Sequence, residues 1–515
     1  MNDMQPYWGE IHTHTALSDG NGTLEENFSI AESHLDFWAM ADHAYDPEVF
    51  DLDYRVKGGE ILNDHWSELQ AMCRERERPG EFIPFLAYEW TNFQYGHHNV
   101  YYLEYDEPLR MPPTLPELYR ELSGSQAIVI PHHTGYAVGY CGKDWDHHDE
   151  RLTPFAEIYS FHGSSEEAGD LRPMLTWGSW MGPGASGGSV REGLGRGYRL
   201  GIMASSDSHL DHPGAYDNGL IAACAEELTR PALWKAFREK RIYGVTGDRI
   251  GLGFAVNGAP MGSEMSASAG RRIEIGAAPW DRIDRVDIIR NGRLLRSFVE
   301  PSGPATRPPD GPHKVRFHVE WGWDRLMDLA WRGSLRVNGG RVTDAVRCYR
   351  NSAVEQAGHG IASLSDKGCE WTSKPKQVRV GSYVRANADA IAFEVEGTDQ
   401  TRLEFTFEYG RFGQECSLSL ADILAGSVVH YMEAAPPVNN GAYWSGMETY
   451  AKFKVHRGAP VDEIAVALSL EDEASGPGGE VAEGPGGPGG ADYYYARVTQ
   501  LNGQMAWSSP VWVER

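Results

Sequence analysis

The sequence lacks any apolar run long enough to cross a membrane. Among its 515 residues, no segment approaches the roughly 20 consecutive apolar residues that a membrane-spanning helix needs. The N-terminal segment MNDMQPYWGEIHTHT also lacks the basic start and the apolar stretch of a signal peptide. We therefore predict a cytoplasmic protein that has no membrane partner.

Cysteine and basic residues are both scarce. The six cysteines are irregularly spaced and form no CxxC pair, which predicts reduced thiols rather than a disulfide framework or a zinc-thiolate site. Lys and Arg together number 47 against 73 for Asp and Glu, and the formal net charge is −26. Because nucleic-acid binding requires a basic surface, we predict no nucleic-acid partner. A small anionic substrate and a homo-oligomer both remain open.

The pattern of apolar residues divides the chain into two predicted domains. Residues 1–250 alternate short apolar strands with helical segments, which is typical of an α/β barrel or a doubly wound sheet with parallel pairing. Residues 251–515 contain mainly alternating strands and hairpin dipeptides such as Asn291-Gly292, which predict a β-sandwich-like accessory domain. Within that domain, the Gly/Pro-rich residues 474–491 are predicted to form a flexible loop.

Histidines and carboxylates recur where the predicted strands of the first domain end. His12 and His14 have the i, i+2 spacing that places two side chains on the same side of a strand. In α/β barrels the carboxyl ends of the strands form one face, so later strand ends would deliver their side chains to the same place. Those later strand-end residues are His43, Glu89, His132, Asp207 and His209.

This donor set predicts a site for several metal ions. Imidazole and carboxylate ligands without cysteine suit zinc, manganese or iron. The candidates exceed the needs of one ion, so we predict two or three divalent ions per chain, and a carboxylate such as Glu89 could bridge a pair. The alternative for any single residue is that it caps a strand end or bonds to the backbone.

The motifs in this order resemble the PHP (polymerase and histidinol phosphatase) superfamily. The resemblance covers about residues 7–250 and consists of HTHT, SDG, ADH, a strand-end Glu, a strand-end His and SDSH. The stretches YEWTNFQYGHHNVYY and ASSDSHLDHPGAY also look like a long bacterial branch of unassigned function that carries a β-rich C-terminal domain. The resemblance implies a distorted (β/α)7 barrel that binds up to three metal ions.

The resemblance also implies which residues bind each ion. His12, His14, Glu89 and Asp207 would hold the first ion, and Glu89 would bridge to a second that is also bound by His132. A histidine of GHHNV completes the second site, and the branch motif favours His97 over His98. The third ion would be held by Asp19, His43 and His209. Many relatives have a histidine near the place of Asp19, so the carboxylate there departs from the family pattern.

The predicted function is metal-dependent hydrolysis. A phosphoester of a small, anionic molecule suits such a cluster of cations best. Hydrolysis of an amide, an ester or a lactone by the same cluster is the alternative. A structural module that has lost its ligands is a third reading, which the complete set of candidate ligands disfavours.

Three residues are predicted to take part in catalysis: Asp19, His209 and Arg191. Arg191 lies in the glycine-rich stretch Gly182–Gly197, which is either a lid that brings an arginine to the substrate or a flexible connection. Four further residues have open roles. His133, His162 and His212 are proton donors or ordinary buried or surface histidines, and Glu157 could orient a ligand histidine.

Overall fold

A computed structural model describes most of the chain. The described residues are 4–44, 56–167, 171–174, 184–268, 270–303, 311–323, 330–350, 359–375, 379–380, 383–384, 388–432, 451–473 and 490–515. Within them, no helix is both long enough and apolar enough to span a membrane. The predicted loop at 474–491 lies outside the described residues except for its last two positions.

Helices are few and mostly short. In the described part of the chain they span Leu24–Glu32, Val56–Arg76, Leu115–Leu122, Val190–Gly195, Arg230–Arg238, Leu420–Ala425 and Val461–Ile464. The first begins with the capping box that the sequence predicts, in which the Thr23 hydroxyl accepts from the backbone N–H of Glu26. Thr114 and Thr229 cap two later helices in a similar way, each followed by a proline in the first turn.

The largest sheet contains strands from both predicted domains. Strand Ile242–Val245 pairs with Met505–Ser508, so hydrogen bonds join residues on the two sides of position 250. The division into 1–250 and 251–515 stays a prediction. Along the sheet the strands are Glu264–Met265, Val511–Glu514, Ala491–Gln500, Met505–Ser508, Ile242–Val245, Leu220–Ala225, Gln5–Glu10, Phe37–Trp38 and Ile83–Pro84, with Ile283–Arg290 and Arg293–Val299 joined beside Ala491–Gln500.

Two smaller sheets carry other strands of the N-terminal half. One contains His43–Ala44, Leu86–Trp90, His98–Tyr102 and Ala127–Pro131. The other contains Gly201–Ala204, Phe155–Ser160 and Gly163–Ser164. Pairing is mixed rather than uniformly parallel, since Leu86–Trp90, His98–Tyr102 and Ala127–Pro131 run antiparallel while Phe155–Ser160 and Gly201–Ala204 are parallel. The described strands form a mixed α/β arrangement, and no closed barrel is detected among them.

The remaining strands form three sheets in the C-terminal half. A four-stranded sheet contains Ala259–Pro260, Gly251–Val256, Gly270–Ala278 and Val466–Glu473. A nine-stranded sheet contains Gly360–Ser365, Gly368–Ser373, Trp331–Cys348, Ala388–Tyr409, His313–Gly322, Lys452–Val455, Val428–Tyr431, Phe412–Ser419 and Ala459–Pro460. Arg379–Val380 and Tyr383–Val384 form a short pair.

Two of the apolar clusters are large and follow this arrangement. One extends from Trp8 to Val513 and therefore includes side chains from both ends of the chain. The other, from Val315 to Val455, lies in the nine-stranded sheet and is rich in aromatic residues such as Trp371. The sheet that contains Glu89 and the strand Gln5–Glu10 that precedes His12 are thus packed on a core shared by both ends of the sequence.

Candidate metal centre

The segment that carries His12 and His14 is fixed by backbone hydrogen bonds to a distant loop. Strand Gln5–Glu10 ends just before this segment. The backbone N–H of Asp207 then donates to the carbonyl of His12, and that of His14 donates to Ser208, each at 2.9 Å. Asp207 has a positive φ of 54°, a conformation that Asp tolerates better than most residues. Residues some 195 positions apart in the sequence are therefore brought together.

Four buried side chains form what we call the first ligand set: His12, His14, Glu89 and Asp207. His12 Nε2 lies 3.5 Å from Glu89 Oε2 and 3.3 Å from Asp207 Oδ1. His14 Nε2 lies 3.4 Å and 3.1 Å from the same two oxygens. All four side chains are almost completely buried.

These separations match the edges of a metal-binding tetrahedron. Four ligand atoms placed about 2.0–2.1 Å from a central ion lie about 3.3–3.4 Å from one another. The four distances in the first ligand set range from 3.1 to 3.5 Å. Moreover, His12 Nε2 and Glu89 Oε2 are buried and make no hydrogen bond. Buried polar atoms are normally paired, so these atoms fit a divalent cation.

The other oxygen of Glu89 faces a second group of histidines. Glu89 Oε1 lies 2.7 Å from His97 Nδ1 and 3.5 Å from His132 Nε2. We call Glu89, His97 and His132 the second ligand set. Because the two carboxylate oxygens face different sets, Glu89 has the geometry that a bridging ligand requires.

The third ligand set consists of Asp19, His43 and His209. Asp19 Oδ1 lies 3.4 Å from His43 Nε2 and 3.4 Å from His209 Nε2. The two histidine nitrogens are also 3.4 Å apart. Three donor atoms with equal separations form one face of a tetrahedron of the same size. The structure therefore brings together all nine residues that the sequence analysis proposes as metal ligands.

Neighbouring groups hold three of the imidazole rings in the orientation that points Nε2 into the site. Nδ1 of His12 lies 2.8 Å from Glu157 Oε2. Nδ1 of His43 lies 2.8 Å from the Thr91 hydroxyl, and Nδ1 of His209 lies 2.9 Å from the backbone carbonyl of Asp207. Such partners fix the tautomer of metal-binding histidines by retaining the proton on Nδ1. Thr91 has no local motif that marks it in the sequence.

The electrostatics of the site favour positive charge. Burial would raise the pKa of Glu89, but the charges of His43 and other histidines outweigh burial and lower it well below its ordinary value. For His43 the opposite holds: burial lowers the pKa, yet Glu89 and Asp19 outweigh burial and raise it to about 9. Ionised carboxylates thus persist in a buried place and attract cations.

Burial differs between the three sets. The members of the first and second sets are almost completely buried, whereas the side chains of Asp19 and His209 are 31% and 22% exposed. The third set therefore lies at the solvent side of the cluster. Phe161 lies beside it, with its ring centroid 5.9 Å from that of His209.

The rings of the adjacent residues His97 and His98 point in different directions. His98 directs Nδ1 to the carbonyl of Gly96 at 2.9 Å, and its ring lies against Trp90. His97, in contrast, faces Glu89. The choice of His97 over His98 thus agrees with the direction of the two rings.

Arg191 lies in contact with a buried glutamate rather than with the three ligand sets. Its guanidinium is 2.9 Å from Glu166 Oε1, and its Nε donates to the Tyr495 hydroxyl at 3.0 Å. Glu166 also accepts hydrogen bonds from Trp507 and Arg497. The structure thus places Arg191 in a network that reaches strand Ala491–Gln500, and its predicted role in catalysis stays a prediction.

The sequence analysis does not identify Glu10, a buried residue beside the site. Glu10 accepts hydrogen bonds from the backbone N–H groups of Ser206, at 3.0 Å, and Gly214. It thereby fixes the segment that carries Asp207 and His209. Its position two residues before His12 is the only sequence signal that could have indicated this contact.

The chain is similar to uncharacterized proteins of Chlamydia species. No family model matches the chain. An uncharacterized protein of Chlamydia muridarum is 29% identical over 347 residues, which cover 63% of this chain and 51% of the relative. An uncharacterized protein of Chlamydia pneumoniae is 32% identical over 316 residues, which cover 57% and 49%. The chain thus spans about half the length of the curated relatives it matches.

Two solved structures show weak likeness. One is a two-domain protein from Bacteroides vulgatus that contains a predicted PHP-like metal-dependent phosphoesterase; it is 12% identical, with a TM-score of 0.34, and the match covers 81% of this chain and 96% of that one. The other is PsfC from Pseudomonas syringae, with 13% identity, a TM-score of 0.26 and coverage of 43% and 82%.

Proposed function

We propose that this chain is a metal-dependent hydrolase of the PHP type that cleaves a phosphoester in a small, anionic molecule. The observation that carries the proposal is the position of Glu89, whose two carboxylate oxygens face different sets of histidines. A shared carboxylate between two buried nitrogen-rich sets is the arrangement that holds divalent ions side by side. Two or three ions of zinc, manganese or iron per chain fit the donor set.

The residues present fit those ions, and their chemistry determines what the site can do. When bound, neighbouring divalent ions activate water and neutralise charge on a phosphoryl group. His12 and His14 hold their Nε2 atoms toward the two carboxylates, and Glu157 retains the proton on Nδ1 of His12. The near-complete burial of the first and second sets excludes bulk water, which strengthens every charge interaction there.

The exposed members of the third set define where a substrate approaches. Asp19 and His209 are the most exposed of the nine candidate ligands, so a substrate arriving from solvent meets them first. We propose that these two residues contact the reacting group, which is the catalytic role that the sequence analysis assigns to them. The partly exposed ring of Phe161 beside His209 would contact the organic part of the substrate.

Activity of the protein reconstituted separately with zinc, manganese and iron tests the proposal. We expect phosphate release from a panel of phosphomonoesters and phosphodiesters, with Glu89→Gln reducing the rate by about 100-fold or more. The matched control is Glu121→Gln, an exposed helix position that should leave the rate unchanged. Hydrolysis of esters, lactones or amides without any phosphate release would contradict the phosphoester class. Failure of the wild-type chain to bind any divalent metal would contradict the whole proposal.

A further inference from the structure

His133 has an unusual backbone conformation directly beside a proposed ligand. It follows His132 at the end of strand Ala127–Pro131 and has a positive φ of 32°. Side chains of adjacent residues in an extended strand point to opposite sides. Here the turn at His133 directs both rings into the same region, and their centroids are 4.2 Å apart.

The ring of His133 lies among the other histidines of the second ligand set. Its centroid is 4.8 Å from that of His97, and one ligand atom from each of His97, His132 and His133 lies within 4.8 Å of the others. His133 itself is only 3% exposed. The cluster therefore contains three imidazoles around a common space.

Five of the six ring nitrogens of this cluster are buried and make no hydrogen bond. His133 Nδ1, both ring nitrogens of His97 and both ring nitrogens of His132 are buried without a hydrogen bond. An unpaired buried polar atom costs about 1–3 kcal/mol. One nitrogen of each of the three rings can bind the same species, so the cluster calls for a bound species that the three rings share. A species that accepts electron pairs from several imidazoles at once is a divalent cation.

We propose that His133 is a metal ligand and that it completes, with His97, His132 and Glu89 Oε1, a site of three histidines and one carboxylate. The inference rests on the proposed function, because it concerns the second of the ions proposed there. It adds a ligand to the nine that the sequence predicts, and it replaces the role of proton donor or ordinary buried histidine considered for His133.

His98 provides a matched control for this proposal. It is also a buried histidine that neighbours a proposed ligand, His97, in the same sheet. However, its Nδ1 is 2.9 Å from the carbonyl of Gly96, and its ring lies 6.0 Å from the ring of Trp90. Removal of either ring creates a similar cavity, so only a role in metal binding should separate the two variants.

The test is metal binding by the full-length chain rather than activity. Metal content and affinity are measured for the wild type, His133→Ala and His98→Ala, and the visible absorption spectrum is recorded after loading with Co²⁺. We expect His133→Ala to lose one ion or to weaken its affinity by about 100-fold, with a changed Co²⁺ spectrum. We expect His98→Ala to match the wild type in all three measurements.

Further outcomes separate this inference from the proposed function. If His133→Ala binds the same number of ions with wild-type affinity and spectrum, His133 is not a ligand, although the hydrolase proposal stands. If the wild type binds no ion at all, both the His133 inference and the hydrolase proposal are wrong. Should His133→Ala fail to fold, His133→Asp supplies a replacement ligand of smaller size. Retention of the full ion count by His133→Asp but not by His133→Asn would support the inference, and equal ion counts in the two would overturn it.

Discussion

Glu157 Oε2 lies 2.8 Å from Nδ1 of His12, on the side of the imidazole ring opposite to the atom that faces Glu89 and Asp207. Glu157 belongs to strand Phe155–Ser160, whereas His12 lies just beyond the end of strand Gln5–Glu10 in another sheet. Both are buried, so the interaction is not weakened by solvent. A carboxylate in this place makes the opposite nitrogen a stronger electron-pair donor.

We therefore expect Glu157→Ala to weaken metal affinity by about 10- to 100-fold, the usual effect of removing such a partner. Glu157→Gln should have a smaller effect, because its carbonyl oxygen still accepts from Nδ1 but carries no full charge. Competition with a chromophoric chelator measures both variants, and the exposed Glu121→Gln serves as control. Wild-type affinity in Glu157→Ala would show that His12 needs no such partner.

Glu10 is expected to stabilise both the fold and the metal site. Its carboxylate satisfies the backbone N–H groups of Ser206 and Gly214, and Glu10→Ala would leave both groups buried without a partner. Each such loss costs about 1–3 kcal/mol, so the free energy of unfolding should fall by about 3 kcal/mol. Urea denaturation gives this value. Glu10→Gln keeps one acceptor and should lose less; equal losses in the two variants would contradict this assignment.

The sequence predicts the candidate ligands better than the strands that hold them. The i, i+2 spacing of His12 and His14 predicts that both lie on a strand, but the strand ends at Glu10. The residues after it are extended because they bond to Asp207 and Ser208, which lie some 195 positions away. A local pattern shows that a segment is extended and polar at alternate positions, but it does not show which distant segment supplies the hydrogen bonds.

For a similar reason, the sequence alone does not predict that residues near position 245 pair with the C-terminal strands. Alternating apolar residues predict strands in residues 251–515, yet the same alternation fits many partners. In the structure Met505–Ser508 pairs with Ile242–Val245, and Trp507 is completely buried there. The contacts of Glu10 and Thr91 with the site also depend on this three-dimensional arrangement, so residue type and spacing alone did not reveal them.

Lys143 should make stability depend on pH. Its side chain is fully buried, and burial lowers its pKa from the ordinary 10.5 to about 7. Between pH 7 and 10.5 the unfolded chain therefore binds a proton that the folded chain does not, so this residue's contribution to stability rises with pH across that range. Lys143→Met should remove this dependence and stabilise the protein at pH 7.

Denaturant unfolding of the wild type and of Lys143→Met at several pH values between 7 and 10 checks this expectation. The difference between the two variants, rather than either curve alone, isolates the lysine from the other titrating groups. Lys235→Met, at a mostly exposed lysine of helix Arg230–Arg238, is the control and should show no such difference. A constant difference between wild type and Lys143→Met across the range would contradict the lowered pKa.

Substitution of Arg191 distinguishes a structural role of this residue from a role in substrate binding. Its ion pair with Glu166 is mostly buried, and Glu166 also accepts from residues of the C-terminal strands. Breaking a buried pair by removing one partner costs about 3–5 kcal/mol, because the other charge is left without compensation. We expect Arg191→Gln to lower the free energy of unfolding by about 3 kcal/mol while the KM of an active substrate changes less than about 3-fold.

Arg199→Gln is a matched control, since Arg199 also makes an ion pair with a glutamate, but its partner, Glu514, is half exposed. Exposed pairs contribute only about 0–1 kcal/mol, so this variant should be nearly as stable as the wild type. If instead Arg191→Gln keeps wild-type stability and raises KM by about 10-fold or more, the guanidinium leaves Glu166 to bind the substrate, as the sequence alone predicts. That result would also favour the interpretation of the glycine-rich stretch around Arg191 as a lid that brings an arginine to the substrate.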